Sequence, residues 1–81
     1  MKMNKKDYIS IITENVKWLR QKNNLSLKEM SEILEISTYS LKKLEGGVLP
    51  ERLSLDFLFK IELYFDIPAQ DIVDKKLNKQ I

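Results

Sequence analysis

The chain contains no cysteine and no histidine, and only two glycines and two prolines in 81 residues. Without cysteine no disulfide can staple the fold and no thiolate can act on a substrate, which fits a reducing cytoplasm, the localisation expected here. Without histidine the commonest general base and the commonest metal ligand are gone as well. An enzyme would have to work with carboxylates, lysines and hydroxyls alone, and the carboxylate pair Asp71 and Asp74 reads better as a solvated helix face. No catalysis, metal or cofactor is expected. Nothing approaches the ~18 uninterrupted apolar residues of a membrane span. The charged segment 1–7 is not followed by the apolar region of a signal peptide. No membrane partner is expected.

What is present points to one small domain spanning residues 1–81, with residues 1–4 as a disordered arm and 78–81 as a frayed tail. The apolar content of 43% is that of an ordinary folded chain. The net charge of +2 is too small to argue for nucleic acid, but its distribution is polarised. Residues 1–28 carry seven basic and two acidic groups, and residues 29–81 carry seven basic and ten acidic. Such polarity suits one face toward phosphate, though a solvated basic terminus accounts for it equally. Lys2, Lys5 and Lys6 are read as that terminus, and Lys75, Lys76 and Lys79 as a solvated tail.

Few helix breakers, many Leu, Ile, Lys and Glu, and no alternating apolar pattern predict an all-α chain of five helices. The first runs over 5–22, where Ile9, Ile12, Val16 and Leu19 form one stripe. Ile11 and Trp18 lie on another side and need cover from the C-terminal segment or from another subunit. The second opens with Ser26-Leu27-Lys28-Glu29, a capping box, with Leu25 and Met30 placed as a hydrophobic staple. Met30, Ile33 and Leu34 give its inner face. Its pattern breaks at Glu35-Ile36, Ser37 caps a third helix over 38–45 with Leu41 and Leu44 inward, and Gly46-Gly47 stops it. A fourth helix, from 53 or 54 to 65, is apolar on most sides and is expected to be the most buried. A fifth over 69–77 follows Pro68, with Ile72, Val73 and Leu77 inward.

Two short helices, a tight turn and a glycine stop form the geometry that presents a helix to the major groove. The residues Val16-Lys17-Trp18-Leu19-Arg20, Leu25-Ser26-Leu27-Lys28-Glu29-Met30-Ser31-Glu32-Ile33-Leu34, Ile36-Ser37-Thr38-Tyr39-Ser40-Leu41-Lys42-Lys43-Leu44-Glu45, Gly47 and Phe65-Asp66-Ile67 resemble the Cro and lambdoid-repressor type helix-turn-helix family, often called the XRE family. The resemblance covers residues 16–73. It implies the lambda-repressor-like bundle, with the second and third helices as the helix-turn-helix. Ser31 takes the small-residue position where these two cross, and Met30, Leu34, Ile36, Leu41 and Leu44 take its core positions. Thr38, Tyr39 and Lys43 take the positions that meet base edges. Ser26, Leu27, Lys28, Ser40, Lys42, Gly46 and Gly47 fall where phosphates are held. Arg20 and Glu45 match an ion pair tying the first helix to the end of the third. Leu27 departs from the family's usual polar residue, and Glu35 stands where glycine is common, a site at which left-handed backbone costs about 1 kcal/mol.

Chemistry supports the same roles. Lysine can donate to guanine O6 and N7, threonine can bond an edge or touch the thymine methyl, and lysines add to the phosphate attraction. Exposed N–H groups at Ser26 and at Gly46-Gly47 would serve phosphates. The expected function is sequence-specific binding of double-stranded DNA by a transcriptional regulator, most simply a repressor, acting as a homodimer on a palindromic site. Phe57, Phe59, Tyr64 and Phe65 are read mostly as core, part of them joining Trp18 and the last helix in the dimer interface. The alternative is a protein-interaction module of the same fold, such as an antitoxin or regulatory partner, with DNA binding weak or lost.

Overall fold

Beyond the start of the first helix, the helix ends among the described residues are set by identifiable partners for backbone groups. The computed structural model describes residues 5–79, with side chains from residue 7 onward; the expected arm at 1–4 and the tail residues 80 and 81 lie outside the described residues. Among those described there are five α-helices and no strand: α1 Lys5–Lys22, α2 Leu27–Leu34, α3 Thr38–Glu45, α4 Asp56–Phe65 and α5 Ala69–Asp74, followed by a 3-10 turn at Leu77–Lys79.

Four successive helices end on a left-handed residue: Asn24, Glu35, Gly47 and Asp66, with φ of 54°, 56°, 91° and 58°. At the first three the chain closes back in the same way. The N–H groups of Leu25, Ile36 and Val48 donate to the carbonyls of Arg20, Ser31 and Lys43 at 3.0, 3.0 and 2.9 Å. Each closure satisfies carbonyls that a helix end would otherwise leave open. Gly47, not Gly46, is the left-handed residue after α3, since Gly46 stays at φ −86°. Glu35 adopts the strained conformation that glycine would take without cost, and its carboxylate lies 2.7 Å from Lys60 Nζ on α4. That hydrogen bond, helped by the carboxylate's charge, raises the Lys60 pKa against the opposing effect of burial.

The core is formed by Ile12, Val16 and Leu19 of α1, Met30 and Leu34 of α2, Leu41 and Leu44 of α3, Phe57, Leu58 and Ile61 of α4, Ile72 of α5 and Leu77. Ser31 is buried where α2 meets α3, and its hydroxyl donates to the Lys28 carbonyl at 2.7 Å. Ile11 is buried beside the C-terminal segment, and Trp18 packs against the core with Lys22 Nζ 4.6 Å from its ring. The cover for α1 therefore comes from its own chain, since α5 and the 3-10 turn pack along it.

Three expectations are corrected. α4 begins at Asp56 rather than at 53 or 54, because Leu53 N–H bonds the Pro50 carbonyl in a turn and the Ser54 hydroxyl accepts from the Asp56 amide. α4 is not the most buried helix: Phe59, Leu63 and Tyr64 stand open to solvent. α5 ends at Asp74 rather than 77, with Lys75 extended. The cause is Asn15, which is 2% exposed in the middle of α1. Its Nδ2 donates to the carbonyls of Ile72 at 2.8 Å and Lys75 at 2.7 Å, and its Oδ1 accepts from Leu77 N–H at 3.1 Å. These bonds replace the next helical turn. They also draw residues 78 and 79, expected in a frayed tail, into the closing 3-10 turn. At the other end of α5, the Ala69 amide donates to Glu62 Oε1 at 2.9 Å.

Removing this clasp leaves buried backbone groups without partners, each costing about 1–3 kcal/mol. Asn15→Ala should lose about 2–4 kcal/mol in urea unfolding and lose hydrogen-exchange protection at the Leu77 amide. A loss well under 1 kcal/mol would show that the clasp is incidental.

Candidate nucleic-acid interface

Ser37 starts α3 from extended backbone. Its hydroxyl accepts from the Ser40 amide at 3.0 Å and donates to the Ser40 hydroxyl at 3.1 Å. Leu41 and Leu44 are fully buried, so the helix is anchored on one side and its other side is open. Thr38, Tyr39, Lys42 and Lys43 all lie on the open side. Tyr39 is 66% exposed, and Lys43, one turn on, holds its ammonium 5.0 Å from the tyrosine ring centroid. The pair thus offers a cation and a hydroxyl side by side next to Thr38 at the helix start. Ser40 is half-buried, its hydroxyl tied to Ser37.

The start of α2 supplies the neighbouring surface. Ser26 and Glu29 form a reciprocal box: the Ser26 hydroxyl accepts from Glu29 N–H at 3.0 Å, and Glu29 Oε1 accepts from Ser26 N–H at 2.9 Å. These bonds to the backbone and hydroxyl of Ser26 hold the Glu29 carboxyl below its ordinary range. The amides of Leu27 and Lys28 remain as the open donors of the first turn, with the Lys28 side chain exposed beside them.

Three of the expected phosphate positions are altered by this geometry. The Leu27 side chain is half-buried against the core, so only its N–H is available to a ligand. Gly46 and Gly47 cannot serve as open amide donors. Gly46 N–H is bonded to the carbonyls of Lys42 and Lys43 at 3.0 and 3.1 Å, and Gly47 N–H to that of Leu44 at 2.9 Å. The helix closes its own carbonyls with the amides that the two glycines were expected to present outward.

Behind the face, Arg20 on α1 meets Glu45 at the end of α3. Arg20 Nε lies 2.6 Å from Glu45 Oε2 and Nη2 lies 2.9 Å from Oε1, while Nη1 donates to the Leu25 carbonyl at 2.9 Å. The side chains are 18% and 9% exposed. The hydrogen bond to Glu45 raises the Arg20 pKa, burial opposes this, and the carboxylate's charge adds to the rise. The guanidinium therefore stays charged wherever the protein is folded. The third bond, to Leu25, carried no local signal in the sequence, and neither did the clasp by Asn15.

A family model described as a helix-turn-helix domain matches residues 13–77. No curated protein and no solved structure matches the chain. Among the described residues no helix is long and apolar enough to cross a membrane, and no group of three or more acidic side chains could hold a metal ion.

Two outcomes test this geometry. Arg20→Ala should destabilise by about 2–4 kcal/mol, because Glu45 is left buried without its cation. Arg20→Lys should recover only part, since an ammonium cannot form the two-pronged contact; equal stability of all three proteins in urea would contradict the pairing. For the capping box, a lowered carboxyl pKa means stability present above the ordinary glutamate range and lost as pH falls through the folded value. The melting-temperature difference between the native protein and Glu29→Ala should thus be largest near neutral pH and shrink below about pH 4.

Proposed function

We propose that this chain, which belongs to the helix-turn-helix domain family, binds double-stranded DNA in a sequence-specific manner as a transcriptional regulator, with α3 in the major groove. The observation that carries the reading is the open side of α3. Thr38, Tyr39 and Lys43 project together from a helix whose other side is fixed by Leu41, Leu44 and the Arg20–Glu45 pair. Lysine and threonine supply donors and a methyl contact for base edges, and tyrosine supplies a hydroxyl and a ring. Ser26, Lys28, Ser40, Lys42 and the open amides of the first turn of α2 serve the flanking phosphates.

The simplest mode of action is repression, in which the bound domain occludes an operator. Two copies on a palindromic site would place their α3 helices one DNA turn apart, about 34 Å. Such a protein works in the compartment that holds the DNA, in keeping with a cytoplasmic location. A second reading keeps the fold but gives it a protein partner, as for an antitoxin or other regulatory partner. It is favoured by the inward turn of Leu27 and by the closed amides of Gly46 and Gly47, which remove phosphate contacts from the face.

Salt separates the two readings, because neutralised phosphates release counterions and an apolar partner surface does not. Titration of random-sequence duplex DNA should shift the amides of residues 26–28 and 38–43, and the shifts should weaken as salt rises. Lys42→Ala should reduce the slope of log K against log salt by about 1. Absence of any shift at low salt would leave the protein-interaction reading in its place.

A further inference from the structure

A cleft of about 840 Å³ lies between one side of α1 and residues 45–49, which end α3 and follow it; two others measure 340 and 190 Å³. Its size is that of a small-molecule site. The apolar part of its wall comes largely from side chains that the core leaves out. Ile9, expected on the inner stripe of α1, is only half-buried and takes no part in the core, and Val48 is 54% exposed. Leu49, which packs against the core, joins them. Gly46 and Gly47 line the cleft without side chains, and a Cβ added at Gly47 would meet nothing within 4 Å.

Most hydrogen-bond donors along this wall are already spent. The Thr13 hydroxyl donates to the Ser10 carbonyl at 3.1 Å, and the Ser10 hydroxyl to Glu14 Oε1 at 3.4 Å. The amides of Gly46, Gly47 and Val48 close the end of α3. Glu45 has both carboxylate oxygens engaged by Arg20. What remains is one pair of opposite charges. Glu14 and Lys17 both line the cleft and are exposed, three residues apart on the same side of α1. Neither makes an ion pair with the other or with any described residue.

We propose that this cleft binds a free α-amino acid with a large apolar side chain. The side chain lies on Ile9, Val48 and Leu49, the ammonium meets Glu14 and the carboxylate meets Lys17. The charges select this class. An apolar amine would set its cation beside Lys17, and an apolar acid would set its anion beside Glu14, so each is opposed by one wall residue. A zwitterion carries both charges on a single carbon and meets each with its opposite. An occupant here covers the residues that close α3, and so braces the end of that helix. Binding needs no DNA, and it stands or falls apart from the regulator reading.

The test is an NMR titration of the full chain, without DNA, with L-phenylalanine up to about 10 mM, a range that covers a Kd of about 1 mM. Amide shifts should saturate and concentrate at residues 9–17 and 46–49. Hydrogen exchange of the Gly47 and Val48 amides should slow in the complex. Phenethylamine, which lacks the carboxylate, and hydrocinnamate, which lacks the ammonium, should each bind about fivefold or more weakly. Glu14→Gln should leave phenylalanine binding no better than hydrocinnamate, and Lys17→Gln no better than phenethylamine. Both residues are exposed, so circular dichroism and melting temperature should not change. Such a loss of selectivity for one charge is not expected of a merely structural defect. Absence of saturable shifts with phenylalanine, leucine and tryptophan alike would overturn the proposal. So would equal binding of the three phenyl probes, which would make the cleft a plain apolar groove, and so would shifts that lie elsewhere on the protein.

Discussion

The placement of α3 depends on the guanidinium of Arg20. One planar group takes both oxygens of Glu45 and the carbonyl of Leu25, and so joins the last turn of α1, the turn before α2 and the last residue of α3. An eight-residue helix is too short to persist on its own, and α3 has only Leu41 and Leu44 fully buried beneath it. Two apolar anchors on one stripe permit rocking about that stripe. A forked ion pair at the end of the helix opposes it, because both oxygens must be met at once. Desolvation offsets much of the attraction in such a pair, so its main effect is on the angle at which Thr38, Tyr39 and Lys43 are presented. The left-handed closures after α1, α2 and α3 act in the same direction: each fixes how the chain leaves one helix and enters the next.

Helix ends written in adjacent residues were legible in the sequence. The Ser26–Glu29 box, the Ser37 cap and the glycine stop after α3 are local devices, each contained within four residues. Ends set from a distance were not. α5 stops because Asn15, some sixty residues earlier, takes its last carbonyls, and α5 starts with its first amide held by Glu62. A lone asparagine inside a helical pattern carries no sign of that role. The left-handed residues divide in the same way. Gly47 announces itself, while Asn24 and Asp66 could not be told from ordinary polar surface, and Glu35 was marked only by the family resemblance.

The face of α3 was legible in register but not in every chemical detail. The helical period puts Tyr39 and Lys43 opposite Leu41 and Leu44, while Thr38, three residues before Leu41, is open because it is the first residue of the helix. What failed was the reading of Gly46 and Gly47 as outward donors. Their composition suggests open backbone, yet a helix that terminates on a left-handed glycine uses those same amides to satisfy its own carbonyls. α4 misled for a different reason. Its composition is apolar on most sides, and composition cannot say which side is covered. Its period could have done so: Phe57, Leu58 and Ile61 recur at three and four residues, and the spacing Leu55–Phe59–Leu63 traces a second stripe that the same core cannot reach.

Internal pairing eases the conflict between a nearly neutral chain and a face meant for phosphate. The α2–α3 unit carries the acidic residues Glu29, Glu32, Glu35 and Glu45 against the lysines Lys28, Lys42 and Lys43. Three of the four carboxylates are committed within the molecule: Glu29 to Ser26, Glu35 to Lys60 and Glu45 to Arg20. The three lysines make no ion pair among the described residues, and Lys43 rests only over the Tyr39 ring. Glu29 and Glu32 keep their charge. Once Glu35 and Glu45 are paired, the unit presents three lysines without an ion-pair partner against two carboxylates, and the excess of positive charge lies on the open side of α3 at Lys42 and Lys43. Three lysines are still few. A single copy would hold DNA weakly, and useful affinity on this face would depend on presenting it twice along the same duplex, where the second contact forms at the high effective concentration set by the first.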